Sequence, residues 1–148
     1  MSGEARIELG TQPLRVPLEG TPPACGEGSR IVLTLHGIDY DQNPGVYYEV
    51  YLNLPEDERQ PDAQSLHYVG NLSFHGLKAA AAAQGQEATQ DFDVTPTVRA
   101  LQARQRWEGR QASVTFVMSG LLHPRTQEPL PASPGTKARL RRVSLTCE

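Results

Sequence analysis

The chain has few of the features that mark disulfide-rich, membrane or nucleic-acid-binding proteins. It has 148 residues, only 2 cysteines and a formal net charge of −3. No apolar run approaches the roughly 18 residues of a membrane span, and there is no basic excess to attract nucleic acid. Residues 1–4 lack the basic and apolar regions of a signal peptide. We therefore expect no membrane and no nucleic-acid partner; the location stays open, with the cytoplasm as the default.

The two cysteines exclude some sites and leave one question open. Cys25 and Cys147 lie near opposite ends of the chain without C-x-x-C spacing, which excludes a zinc knuckle or a thioredoxin-type motif. A single bridge between the first and last strands is possible. Nothing else in the sequence marks an oxidising compartment, so we expect two free, partly buried thiols. About two-thirds of the surface of a chain this long is buried on folding, which is enough for a core without a disulfide or a metal.

Alternation of apolar and polar residues, the period of a β-strand, dominates the chain. The stretches 46–54, 66–74 and 112–118 each alternate, as half-buried strands do. The stretch 31–35 is a continuous β-branched and leucine run, which is typical of a central strand. Near the C-terminus the alternation changes phase, which predicts a bulge near Arg141.

One helix is indicated between the strands. Thr95 is a candidate cap, Pro96 suits the first helical position, and Val98 and Leu101 form an apolar stripe, so the helix should run to about Gln105. The 13 glycines and 12 prolines indicate many short connections. We predict an all-β fold, an antiparallel, jelly-roll-like β-sandwich of about seven to eight strands with one short helix. It should form a single domain over residues 1–148, with an ordered core at about 14–148.

The residues offer no evident catalytic or metal site. Four histidines are present. His67 and His75 share strand parity, but eight residues of a strand span roughly 26 Å, too far for two ligands of one metal. No G-x-S-x-G elbow and no local Cys–His pair is found. We therefore predict neither a metal site nor a catalytic residue.

The tyrosines suggest a surface for recognition. Alternation places Tyr47 and Tyr51 on the face opposite the presumed core. Exposed aromatic rings beside polar groups suit stacking on sugars or a protein interface. A covering layer of the protein itself would explain these residues equally well.

Five segments follow one another along the chain: GVYYEVYLNLP (45–55), HYVGNLSFHG (67–76), FDVTPTVRAL (92–101), ASVTFVMSG (112–120) and LRRVSLTCE (140–148). In this order they resemble the C-terminal domain of type-3 copper proteins, the group of tyrosinases, plant polyphenol oxidases and molluscan hemocyanins. The resemblance covers about residues 14–148 and is closest to bacterial tyrosinase-like chains.

The resemblance implies a domain without its own copper. A type-3 copper pair takes six histidines, carried mostly on helices of a separate domain, whereas this chain has four histidines and one predicted helix. The chain therefore cannot be the oxidase. The implied partner is a tyrosinase-like catalytic domain in the same natural chain, which would hold the copper; no cofactor is expected here.

In the family, the C-terminal sandwich resembles a lid that covers the copper pocket with a bulky side chain and keeps the enzyme latent. Here the plug would lie directly after the matched strand, at Phe74, His75 or Leu77, with Phe74 first. The parity of Phe74 also permits a core position. The same face is expected to protect the copper site during metal loading. The alternative is a free-standing β-sandwich that binds a ligand through its tyrosines or forms oligomers.

Overall fold

The computed structural model describes residues 7–10, 12–18, 28–40, 46–55, 64–74, 85, 87–107, 112–120 and 138–147. Within these residues the chain forms nine strands and one helix. They are β1 (Ile7–Glu8), β2 (Leu14–Pro17), β3 (Ile31–His36), β4 (Val46–Leu52), β5 (Tyr68–Leu72), β6 (Thr89–Asp93), α1 (Thr95–Ala103), β7 (Ser113–Gly120), β8 (Arg139–Leu140) and β9 (Arg142–Cys147).

The strands form three antiparallel sheets. A four-stranded sheet has the order β2-β7-β4-β5, a three-stranded sheet has the order β6-β3-β9, and β1 pairs with β8. Every pairing between these strands is antiparallel. The predicted all-β sandwich with one short helix is therefore confirmed. No helix in the described part of the chain is long and apolar enough to cross a membrane.

The core lies between the four-stranded and the three-stranded sheet. Leu33 and Leu35 of β3 are fully buried, as is Val50 of β4, and Phe116 of β7 is 1% exposed. These side chains belong to one continuous apolar cluster with residues of both sheets. The inward residues of each strand are alternate ones, so the period of two in the sequence sets the two faces.

The sheets approach closely where Gly70 of β5 faces Phe92 of β6. A Cβ built on Gly70 would lie 2.8 Å from the Phe92 ring. The backbone φ of Gly70 is +152°, a value that other residues rarely adopt. Glycine therefore lets the aromatic ring fill this part of the core, since any larger residue would occupy the same space.

Helix α1 begins at a junction with β3. Pro96 lies in the first turn, but Thr95 does not cap the helix: its hydroxyl accepts the backbone N–H of Ile31 at 2.7 Å. The Asp93 carboxylate accepts the N–H of Thr95 at 3.0 Å, and hydrogen bonds from Thr95 lower the pKa of Asp93. Val98 and Leu101 are buried as predicted. The F-D-V-T-P segment thus fixes the helix to the sheet.

Asn53 joins the ends of β4 and β7. Its φ is +53°, a conformation that asparagine tolerates better than most residues. Its side chain accepts the N–H of Ser113 at 2.8 Å, and its own N–H donates to the Ser113 carbonyl at 2.8 Å. The asparagine of the Y-L-N segment therefore ends β4 and holds it to its neighbour.

The phase change near Arg141 marks a change of sheet. Residues 139–140 pair with β1, and from Arg142 onwards the chain pairs with β3. Arg141 lies between them and donates its N–H to the His36 carbonyl at 2.8 Å. The predicted bulge near Arg141 is therefore a change of sheet. The chain bends at this residue, which shifts the alternation by one position.

The cysteines are bonded, contrary to the expectation of free thiols. Cys147 at the end of β9 forms a disulfide. The sequence has 2 cysteines, so its partner is Cys25, which lies outside the described residues. The sequence contained no local signal for this bridge because the fold brings together two residues about 120 positions apart.

Reduction of the disulfide should destabilise the domain. Opening a loop of this length should lower the free energy of unfolding by roughly 2–5 kcal/mol, because the reduced unfolded chain gains conformational freedom. Denaturant unfolding with and without dithiothreitol measures this change. The C147S variant is the control, since its unfolding curve should match that of the reduced wild type and should not change when dithiothreitol is added. Identical wild-type curves under both conditions would contradict the prediction.

Substitution of Gly70 should be costly. G70A places a methyl group against the Phe92 ring and should destabilise the fold by about 1–3 kcal/mol, as overpacking of a core does. G10A is the matched control because nothing lies within 4 Å of its built Cβ. Thermal unfolding of both variants measures the difference. Equal melting temperatures would show that the sheets are not in contact here.

Candidate functional site

The outward side of β4 and β5 carries an aromatic surface, here called the tyrosine face. Tyr48 and Val50 point into the core cluster, so alternation sends Tyr47, Glu49 and Tyr51 outward. The tyrosine face consists of Tyr47, Glu49, Tyr51, Tyr68 and Asn71.

Hydrogen bonds hold the rings of the tyrosine face in place. The Tyr51 hydroxyl donates to Glu49 Oε2 at 2.7 Å, and the Tyr68 hydroxyl donates to Asn71 Oδ1 at 2.6 Å. The rings of Tyr51 and Tyr68 are in contact, with centroids 5.6 Å apart. Burial, followed by the charge of Glu49, raises the pKa of Tyr68. Its hydroxyl therefore stays protonated and donating at neutral pH.

Only part of the tyrosine face is open to a partner. Tyr47 is half-buried and accessible, whereas Tyr51 is 0% exposed. The register shifts between Val50 and Tyr51, so Tyr68 lies opposite Tyr51 and covers it. The two proposed interface residues thus differ: Tyr47 is available for contact, and Tyr51 supports the surface from below.

Phe74, the first candidate for a plug, lies in the core of the domain. Its side chain is 2% exposed, and its ring packs edge-on against Tyr40 and Tyr48 with centroids 5.6 and 6.0 Å apart. Phe74 therefore takes the core position that its parity in the sequence permitted. Its side chain packs inside its own domain. The other candidates, His75 and Leu77, lie outside the described residues.

His67 is buried and held by the backbone. It is 3% exposed, and its Nδ1 lies 2.9 Å from the Leu52 carbonyl, which fits a proton on Nδ1. Its Nε2 is buried without a hydrogen-bond partner among the described residues. His75, which shares its parity in the sequence, lies outside them. The described ranges contain no group of three or more residues that could hold a metal ion.

The outward side of the three-stranded sheet is polar instead of aromatic. The Thr34 hydroxyl donates to Asp91 Oδ1 at 2.8 Å. His36 Nε2 lies 2.7 Å from the Ser144 hydroxyl, and Glu87 Oε1 lies 4.0 Å from the other ring nitrogen. These groups come from three separate strands or their ends, so no local motif in the sequence could have revealed them.

Several solved structures share the fold of this chain. A recombinantly expressed latent aurone synthase, described as a polyphenol oxidase, matches 97% of the chain at a TM-score of 0.61 and 15% identity. The same latent enzyme from its natural source matches 97% at 0.58 and 16% identity, and latent apple tyrosinase matches 97% at 0.58 and 14% identity. The chain covers only 25% to 27% of those proteins. At these identities the likeness shows the fold alone.

One family of sequences also matches. The profile described as "Domain of unknown function (DUF7868)" covers residues 14–128, more than half of the chain. No curated protein sequence matches the chain.

Alanine variants of Tyr47 and Tyr51 should show which of the two is an exposed contact residue and which is part of the packed structure. Y51A removes a fully buried ring and should cost about 3–5 kcal/mol of stability, as large-to-small core changes do. Y47A removes a half-exposed ring and should change stability by only about 0.5 kcal/mol. Urea unfolding of both measures the contrast. Equal losses would mean that Tyr47 is also part of the packed structure.

Proposed function

The chain belongs to the DUF7868 family, and from this membership and its fold we propose that it is a non-catalytic shielding domain of a tyrosinase-like copper oxidase. It covers the copper pocket of a catalytic domain and keeps that enzyme latent. The copper is held by the partner, and the sandwich protects the pocket while metal is loaded. The partner is encoded in the same natural chain.

The extent of the structural match carries this proposal. Nearly the whole chain, 97%, matches about a quarter of proteins whose names describe them as latent polyphenol oxidases or tyrosinases. A piece that matches so completely, and leaves three-quarters of the neighbour unmatched, corresponds to one domain of a larger assembly. The five segments of sequence resemblance run in the order expected for the C-terminal domain of such enzymes.

Phe74 is held firmly in the sandwich, which leaves the candidates that follow it in the sequence as the plug. The Phe74 ring is fixed between two tyrosines, and its carbonyl accepts the Tyr40 hydroxyl at 3.5 Å. Phe74 is therefore not available to enter the pocket of another domain. We propose His75 or Leu77 as the blocking residue.

A weak contact is sufficient for latency when the two domains are linked. A short tether gives an effective concentration of about a millimolar, so an intrinsic dissociation constant well below that value keeps the pocket closed. Tyr47 and its neighbours on the tyrosine face would add contact area around the plug. Aromatic residues with satisfied hydroxyls are favoured at such interfaces.

The second candidate function is a free-standing binding module. The tyrosine face favours it, because Tyr47 is accessible beside hydrogen-bonded tyrosine hydroxyls and a carboxylate. Such surfaces bind sugars by stacking on the ring. Saturable binding to a glycan that is lost in Y47A would support this function over the shielding role.

The disulfide bears on the location of the protein. Structural disulfides form and persist in oxidising compartments and are rare in the cytosol. Since Cys147 is disulfide-bonded, we propose that the domain works outside the cytosol, in place of the cytoplasmic default.

Inhibition of a catalytic domain tests the shielding role. The chain should be added at up to several hundred micromolar to a tyrosinase catalytic domain encoded upstream in the same reading frame. We expect a dose-dependent loss of diphenol oxidation, with the weak affinity that effective-concentration arguments allow. L77A and H75A should be compared with wild type, and relief of inhibition by either one identifies the plug.

Two results would contradict the shielding role. One is a reading frame without a copper-binding helical region upstream. The other is full oxidase activity at every concentration of a folded domain. As a matched control, T146A changes an exposed residue of β9 on the other sheet and should inhibit as well as wild type.

A further inference from the structure

His36 and Ser144 meet on the outward side of the three-stranded sheet. In the β3–β9 register Thr34 pairs with Ser144 and His36 pairs with Arg142. The imidazole and the hydroxyl are therefore diagonal neighbours on one face, and Nε2 lies 2.7 Å from the Ser144 Oγ. This distance is that of a short hydrogen bond.

The second ring nitrogen faces a carboxylate. Nδ1 of His36 lies 4.0 Å from Glu87 Oε1, and the same oxygen accepts Arg141 Nη2 at 2.9 Å. A proton on Nδ1 is favoured next to this negative charge. Nε2 then carries the lone pair, and the Ser144 hydroxyl donates to it. Hydroxyl, imidazole and carboxylate follow one another in the order found around serine nucleophiles on unrelated folds, with the carboxylate here at ion-pair distance from the ring and not hydrogen-bonded to it.

The surroundings keep the imidazole uncharged at neutral pH. Burial, followed by the positive charge of Arg142, lowers the pKa of His36 from its ordinary value. Arg141 lowers it further, and the Glu87 and Asp91 carboxylates act in the opposite direction. The side chain is 17% exposed, so the neutral ring remains reachable from solvent. A neutral imidazole is the form that acts as a base.

We propose that Ser144 is a nucleophile with His36 as its general base and Glu87 as a positioning residue, and that it accepts an acyl group from activated esters. This site lies on the opposite outer face of the sandwich from the tyrosine face. It is independent of the shielding role.

The reaction balances with these residues and water alone. Ser144 Oγ bonds to the ester carbonyl carbon while its proton moves to His36 Nε2. The bond from that carbon to the leaving oxygen then breaks, and the leaving group departs with the proton from the imidazolium. Water repeats the sequence on the acyl-serine and releases the acid. The charge of Arg142, which acts on His36, has the sign that favours an anionic tetrahedral intermediate nearby.

Mass spectrometry of the wild-type chain with 4-nitrophenyl acetate tests the proposal. When the reaction is quenched with acid before water removes the acyl group, we expect one acetyl group per chain, located on Ser144 by peptide mapping, together with release of 4-nitrophenolate. S144A should lose both signals. H36Q should acylate roughly a hundredfold more slowly, as loss of a general base does. E87Q should keep the acylation site and alter its pH dependence.

The pH profile separates base catalysis from simple exposure of a hydroxyl. The rate of acylation should rise with pH through the lowered pKa of His36 and stay level above neutrality. The charged groups that act on this imidazole are Glu87, Asp91, Arg141 and Arg142. T146A, an exposed hydroxyl on the same side of β9, should behave as wild type.

Three results would overturn the proposal: no acetyl group on Ser144 of the wild-type chain, acetylation of other residues at the same rate, or equal rates in wild type and H36Q. The wild-type result needs no variant to fold. Circular dichroism of each variant confirms that a lost signal reflects lost chemistry.

Discussion

Strand β3 must satisfy its hydrogen bonds on both sides, and most of the molecule is arranged by that requirement. All six of its residues pair with β9, and five of them pair with β6. Its first residue holds the start of the helix through Thr95, and its last carbonyl accepts the N–H of Arg141, where the chain changes sheets. The same register directs Leu33 and Leu35 into the core and His36 outward. One strand therefore positions the helix, the sheet change and the polar outer face.

The sequence predicts much of this fold because the signal is local. Alternation identified the long strands, and the spacing of Val98 and Leu101 identified the helix. Local rules failed where another part of the chain decided the outcome. A register shift after Val50 turned Tyr68 towards Tyr51 and buried the latter. Alternation alone could not anticipate a shift that arises from the pairing of two strands.

The candidate sites were harder to predict for the same reason. In the sequence, Phe74 has both the parity of a core residue and the position expected of a plug. Only the packing of Tyr40 and Tyr48 around its ring shows that it is a core residue. His36 and Ser144 are 108 positions apart and meet only through the β3–β9 register. The two outer faces consequently differ in chemistry, since one presents neutral aromatic rings and the other presents paired charges. Such a difference lets one small sandwich carry two separate surfaces.

The bond at Cys147 changes what a protease can achieve. Because the disulfide joins Cys147 at the end of β9 to Cys25, a single cut of the backbone anywhere between these two residues leaves both fragments covalently attached. On a gel such a nicked domain would migrate as one band until a thiol is added. The outcome of proteolysis therefore depends on where the chain is cut: a cut before β1 leaves the sandwich whole, whereas a cut in a connection after Cys25 opens it without releasing either half.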